Sequence, residues 1–180
     1  SFFFFFNCPK IANLQPFPLH NFAKPFLLVS YYFSDWQIYG EKSFGRGANV
    51  MVAETENHDD NVLRFKNVGG YLKLQIYSSE QRWLDYIELE GNNGERITGE
   101  AYIESSYGWD PWVEMSENAG TMLTLDCVDT EHWVDIAIST DPENPTDFWF
   151  VLPPTYFDNG ITVRIDDTEG NICTDRKSVV

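Results

Sequence analysis

The sequence predicts an all-β fold, an antiparallel β-sandwich of about seven to nine strands running from about residue 41 onward. Three observations predict it. Apolar and polar residues alternate with period two in run after run, the pattern that gives a strand one core-facing side. Clusters of Gly, Asn and Pro separate those runs at short intervals. No stretch holds a helical period over three turns, and aromatic residues, which suit pleated surfaces, make up 16% of the chain.

The elements follow in order. Asn49 to Glu54 and Val62 to Lys66 are short β runs flanking a polar stretch, Thr55 to Asn61. Tyr71 to Tyr77 alternates, with Leu72, Leu74 and Ile76 on one face and Lys73 and Gln75 on the other. Tyr86 to Glu90 points Ile87 and Leu89 inward and Glu88 and Glu90 outward. Gly91-Asn-Asn-Gly94 is a turn signal, because Gly and Asn tolerate positive φ. Arg96 to Glu104, Trp112 to Met115 and Thr121 to Cys127 supply the next strands, with a turn over 116–120. Phe148 to Leu152 is continuously apolar, as in a strand covered on both faces, and Pro153-Pro154 ends it. Gly160 to Asp166 alternates, and the turn Asp167-Thr-Glu-Gly170 leads to a last run from Ile172 to Thr174.

The chain divides near residue 38. Residues 1–38 open with the run Phe2 to Phe6, carry four prolines and little charge, and are expected to be loosely ordered. The phenylalanine run is too short to span a bilayer and lacks the basic start and small-residue cleavage site of a signal sequence. Residues 39–180 form the sandwich domain. Charge divides the same way: residues 1–40 carry a net +1 and residues 41–180 a net −17 of the chain's −16. So acidic a surface repels phosphate backbones, which excludes nucleic acid as a partner.

Segments of this sandwich resemble the fimbrillin-like proteins. Gly40 to Ala53 is similar to that family's small-residue loop leading into a strand. Phe65-Lys-Asn-Val-Gly-Gly-Tyr-Leu-Lys-Leu-Gln75 is similar to its recurrent Phe-Lys-Asn-Val followed by a Leu-Lys-Leu strand. Ile87 to Gly99 resembles its next hairpin, and Phe150 to Val163 with Asp166 to Asn171 its closing strands. The ordered set covers roughly residues 38–177. The resemblance implies a transthyretin-like β-sandwich, the N-terminal domain of a fimbrial or pilus-type surface protein at the outer membrane of Gram-negative anaerobes. It also implies cell adhesion and partners of the same kind, joined by β-strand addition. A second sandwich, usual in that family, does not follow within this sequence, which is therefore read as a fragment.

Little points to catalysis, and no catalytic residue, cofactor or metal is expected. His20, His58 and His132 are the only histidines, and no G-x-S-x-G elbow occurs. With 28 acidic residues a carboxylate pair is always available, so it diagnoses nothing. His58-Asp59-Asp60 reads as a solvated turn, and Asp166 to Asn171 lacks the alternating ligand spacing of an EF-hand loop. Cys8, Cys127 and Cys173 form no metal-ligand cluster. Cys127 reads as a small buried hydrophobe, and a Cys127–Cys173 disulfide stays open in an oxidising compartment. The rival to a structural role is glycan binding. Tyr107, Trp109, Asp110 and Trp112 share a Gly/Pro loop, where aromatic faces stack on sugar rings and a carboxylate accepts hydroxyl hydrogen bonds. The same aromatics suit plugging one end of a sandwich. Trp83, Trp133 and Trp149 are expected in the core.

Overall fold

The computed structural model describes residues 2–7, 27–57, 59–106 and 108–177, with Phe2–Asn7 and residues 27, 28 and 177 as backbone only. In chain order come β1 (Phe2–Asn7), β2 (Leu27–Phe33), β3 (Trp36–Gly40) and β4 (Ser43–Phe44). The hairpin β5 (Met51–Glu54) and β6 (Arg64–Asn67) precedes the long strands β7 (Gly70–Ser78) and β8 (Trp83–Gly91). Next are β9 (Gly99–Ser105), β10 (Trp112–Met115), β11 (Met122–Asp126), β12 (Val128–Asp129) and β13 (Val134–Ala137). β14 (Thr146–Leu152), β15 (Ile161–Asp167) and β16 (Ile172–Lys177) close the fold.

The fold is all-β, with its strands in several sheets, one curled into a half-barrel of six strands. The largest sheet is built on β8, which pairs with β15 on one edge and with β11 and β13 on the other. From β11 it continues to β3, in parallel, and on to β4, while β16 flanks β15. A second sheet has the order β1-β7-β14 and a third the order β10-β9-β2; among the described residues β5 and β6 pair only with each other. Among the described residues, thirteen strands follow residue 41, more than the sequence predicts, because several are two to five residues long.

Two cores result. The larger lies between β7 and β14 on one side and β8, β11 and β15 on the other. Leu72, Leu74 and Ile76 of β7 meet Ile87 and Leu89 of β8, the alternation predicted for both strands. Leu74 and Leu89 have no exposed surface, so truncating either to alanine costs about 2–5 kcal/mol. Phe148, Phe150, Val151 and Leu152 are all buried, as the continuous apolar run requires. The smaller core joins Phe33 of β2, Ala101 and Ile103 of β9, and Val50, Val52 and Val68 around the β5–β6 hairpin.

The division at residue 38 falls inside β3. β2 pairs along its whole length with β9, and β3 runs beside β11, so residues 27–38 are built into two sheets. Further upstream, β1 lies antiparallel along β7, with Phe2 opposite Ser78 and Asn7 opposite Lys73. Period-two alternation gives no warning of a uniform Phe run as a strand.

Cys127 is fully buried, as expected, and among the described residues neither it nor Cys173 forms a disulfide. The reason is topological. Cys173 lies on β16 and Cys127 follows β11, with β15 and β8 between those strands. Three strand spacings of about 4.8 Å put the two well beyond the roughly 7 Å that a disulfide spans. Cys8 lies outside the described residues.

Candidate functional site

Two surface features qualify, an aromatic loop and an open groove, together with one sheet edge. The loop joins β9 to β10, whose hairpin register sets Trp112 opposite Glu104 and Met115 opposite Ala101. Gly108, at φ 85°, takes the left-handed turn that a side chain would resist. The Trp109 amide donates to the Ser106 carbonyl at 3.0 Å, which closes the turn. Trp109 is 58% exposed, Asp110 is exposed and Trp112 is half-buried; Tyr107 lies outside the described residues. From beneath, the Lys66 ammonium of β6 donates to the Trp109 carbonyl and pairs with Glu54 Oε2 of β5 at 3.4 Å. Glu54 is buried, and its Oε1 has no hydrogen-bond partner among the described residues. Among its described residues the loop thus presents one indole and one carboxylate to solvent, with Trp112 half-buried.

The tryptophans expected in the core are not there. Trp133 is 79% exposed and Trp83 45% exposed, while Trp149 is half-buried with the Lys73 ammonium 5.4 Å from its ring centroid. Trp83 starts β8 one residue before the buried Leu84, so alternation turns it outward. Trp133 ends the turn between β12 and β13, in the polar sequence Thr130-Glu-His-Trp133, which was the available signal that it faces water. Both line an open groove of about 1120 Å³ together with Arg46, Asp129, Glu131 and His132.

Within that groove His132 Nδ1 lies 2.6 Å from Asp129 Oδ2. The hydrogen bond and charge of Asp129 raise the His132 pKa above its ordinary 6.5, and His132 with the Glu131 amide lowers that of Asp129.

The acidic motifs singled out in the sequence are engaged by the protein's own donors. Burial pushes the Asp167 carboxyl up, but hydrogen bonds from the Asn171 side chain and amide, from Arg82 and from the Glu169 amide outweigh it and lower the pKa. Arg82 Nη1 stands 2.6 Å from Asp167 Oδ2, and Asp166 Oδ1 accepts from Arg164 at 3.1 Å. Asp60 caps the β5–β6 connection by accepting the amides of Glu56 and Val62 at 3.0 and 2.9 Å. Its neighbour His58 lies outside the described residues. Among the described residues, no group of three or more His, Cys, Asp or Glu is arranged to hold a metal ion.

Sheet edges complete the picture. Gln37 of β3 points inward, and its side-chain amide both donates to the Val151 carbonyl at 2.7 Å and accepts the Val151 amide at 3.0 Å. A side chain thereby closes part of the edge of β14 that faces away from β7. The other edge of β7 carries β1, whose connection to β2 comprises residues 8–26. No protein-family model, curated protein or solved structure matches the chain.

Proposed function

We propose that the chain is a structural or adhesive cell-surface subunit, fimbrillin-like with a transthyretin-like sandwich, that assembles through strand addition on β7. The supporting observation is the register of β1 on β7. A six-residue strand remote in sequence from its neighbours occupies that edge through backbone pairing, from Phe2↔Ser78 to Asn7↔Lys73. Backbone pairing supplies affinity whichever copy provides the strand. Passed to the β7 of a second copy, β1 makes a head-to-tail contact, which propagates as a filament when the rotation does not close. The Gln37 amide on β14 fits the same scheme, because it blunts a competing edge of that sheet.

The test is capture between copies. A tagged chain lacking residues 1–26 has a bare β7 and should retain the chain of residues 1–180, while two truncated chains should not retain each other. If the truncated chain is folded and retains nothing, the reading fails. The exposed indole of Trp109 beside Asp110 supports a second reading, a glycan-binding surface module. It predicts glycan-array binding that W109A and W112A abolish.

A further inference from the structure

The groove that holds Trp83 and Trp133 has a construction of its own. Trp133 sits at φ 56°, a left-handed conformation that is costly for a bulky L-residue. It is held there by one acidic side chain and its backbone. Asp129 Oδ1 accepts the Glu131 amide at 2.8 Å, Oδ2 meets the His132 ring, and the Asp129 carbonyl accepts the Trp133 amide at 2.7 Å. The result is a large indole raised into solvent on a fixed turn, where packing gives no return for the strained backbone.

Trp83 is fixed independently. Its carbonyl accepts the Thr168 amide at 3.0 Å, and Ala137 of β13 lies opposite it. Trp133 directly precedes β13 and Ala137 ends it, so the length of that strand, about 10 Å at about 3.3 Å per residue, separates the two tryptophan backbones. That is longer than one sugar ring. The groove is also lined by the Asp129–His132 pair, Glu131 and Arg46, a mixture of acceptors and donors.

We propose that this groove is a binding site for a neutral oligosaccharide, stacked on Trp133 and Trp83 and hydrogen-bonded by the polar side chains that line the groove with them. A sugar has apolar C–H faces that match an indole and a rim of hydroxyls that match carboxylates, imidazole and guanidinium. An apolar ligand would leave those polar groups unpaired, and a polyanion meets the field of a chain carrying −16. The site is separate from the Trp109 loop and does not rest on strand addition.

Affinity electrophoresis of the full chain through gels containing xylan, glucomannan or dextran, with heparin as the polyanion, tests it. At least one neutral polysaccharide should retard the protein, and W133A and W83A should each weaken that retardation about tenfold, the size of a lost aromatic contact. Y32A, at an exposed aromatic of β2 that does not line the groove, should leave it unchanged. W133G separates binding from folding, because glycine accepts the positive φ: it should melt at a higher temperature than the parent and still lose retardation. Absence of retardation on all three neutral polysaccharides would overturn the proposal. So would retardation that survives W133A and W83A, or that occurs on heparin alone.

Discussion

Replacing Gln37 with alanine removes the amide that closes the free edge of β14. In the parent, Gln37 is 6% exposed and makes two hydrogen bonds to one residue, donating at 2.7 Å and accepting at 3.0 Å. Its loss leaves the Val151 amide and carbonyl without partners on a residue that is 1% exposed. Each buried backbone group left unsatisfied costs about 1–3 kcal/mol, and water entering the vacated space recovers part of it, so a loss of about 3 kcal/mol is expected. Gln37→Glu is the sharper control. A carboxylate still accepts the amide but sets a negative oxygen against the Val151 carbonyl, so at neutral pH it should destabilise more than alanine. Protonation restores a donor, so that extra loss should shrink as pH falls. Urea denaturation with an unchanged m value reads both effects. A loss below about 1 kcal/mol for Gln37→Ala would refute the reasoning, because both groups would then have found other partners.

Other expectations follow from the same accounting of polar groups. Asp167→Ala strips Arg82 and the Asn171 turn of a fully buried acceptor and should cost about 3 kcal/mol in urea melts, with Asp167→Asn losing about half as much. Because the folded pKa of Asp167 is lowered, its contribution is present above the ordinary 3.8 and is lost as pH falls through the folded value, so the Asp167→Ala deficit should narrow in acid. NMR titration should place Asp60 at about 2, held there by the Glu56 and Val62 amides and then by Arg64, and Arg64→Ala should raise it. His132 should titrate above 6.5, so the Asp129 contact is fully present below that pH and is lost as pH rises through the folded value; Asp129→Asn should return His132 toward 6.5. In a Cys8→Ser background a thiol reagent should label Cys173 in the native protein and reach Cys127 only on unfolding, since Cys127 is buried.

Strands that obey simple alternation were legible in the sequence. β7 and β8 put their Leu and Ile residues inward as expected, and the turn at 91–94 carries its left-handed glycine at Gly94, φ 71°. β12 and β13 were not legible, because Val128–Asp129 and Val134–Ala137 are too short and too polar to show a period. β3 escaped because an inward Gln37 reads as polar until its partner on β14 is known. The tryptophans failed for a related reason. Trp is so often buried that size suggested a core position, yet the backbone turn at Trp133 and the first place of Trp83 on β8 turn both outward. Of the aromatic loop, the sequence located Trp109, Asp110 and Trp112, but the Lys66–Glu54 support comes from a hairpin far away in sequence, with Lys66 43 residues before Trp109.

If β7 receives β1 from a neighbouring copy, inter-copy disulfide trapping reads that exchange directly. Phe5 and Gln75 are opposite one another in the register. In a background with Cys8, Cys127 and Cys173 replaced by serine, one copy carries Phe5→Cys and another carries Gln75→Cys. Mixing them under mild oxidation should give a covalent dimer that neither single variant forms in the same way. A cross-link that appears only when both cysteines share one chain, and never between the two, would contradict the account.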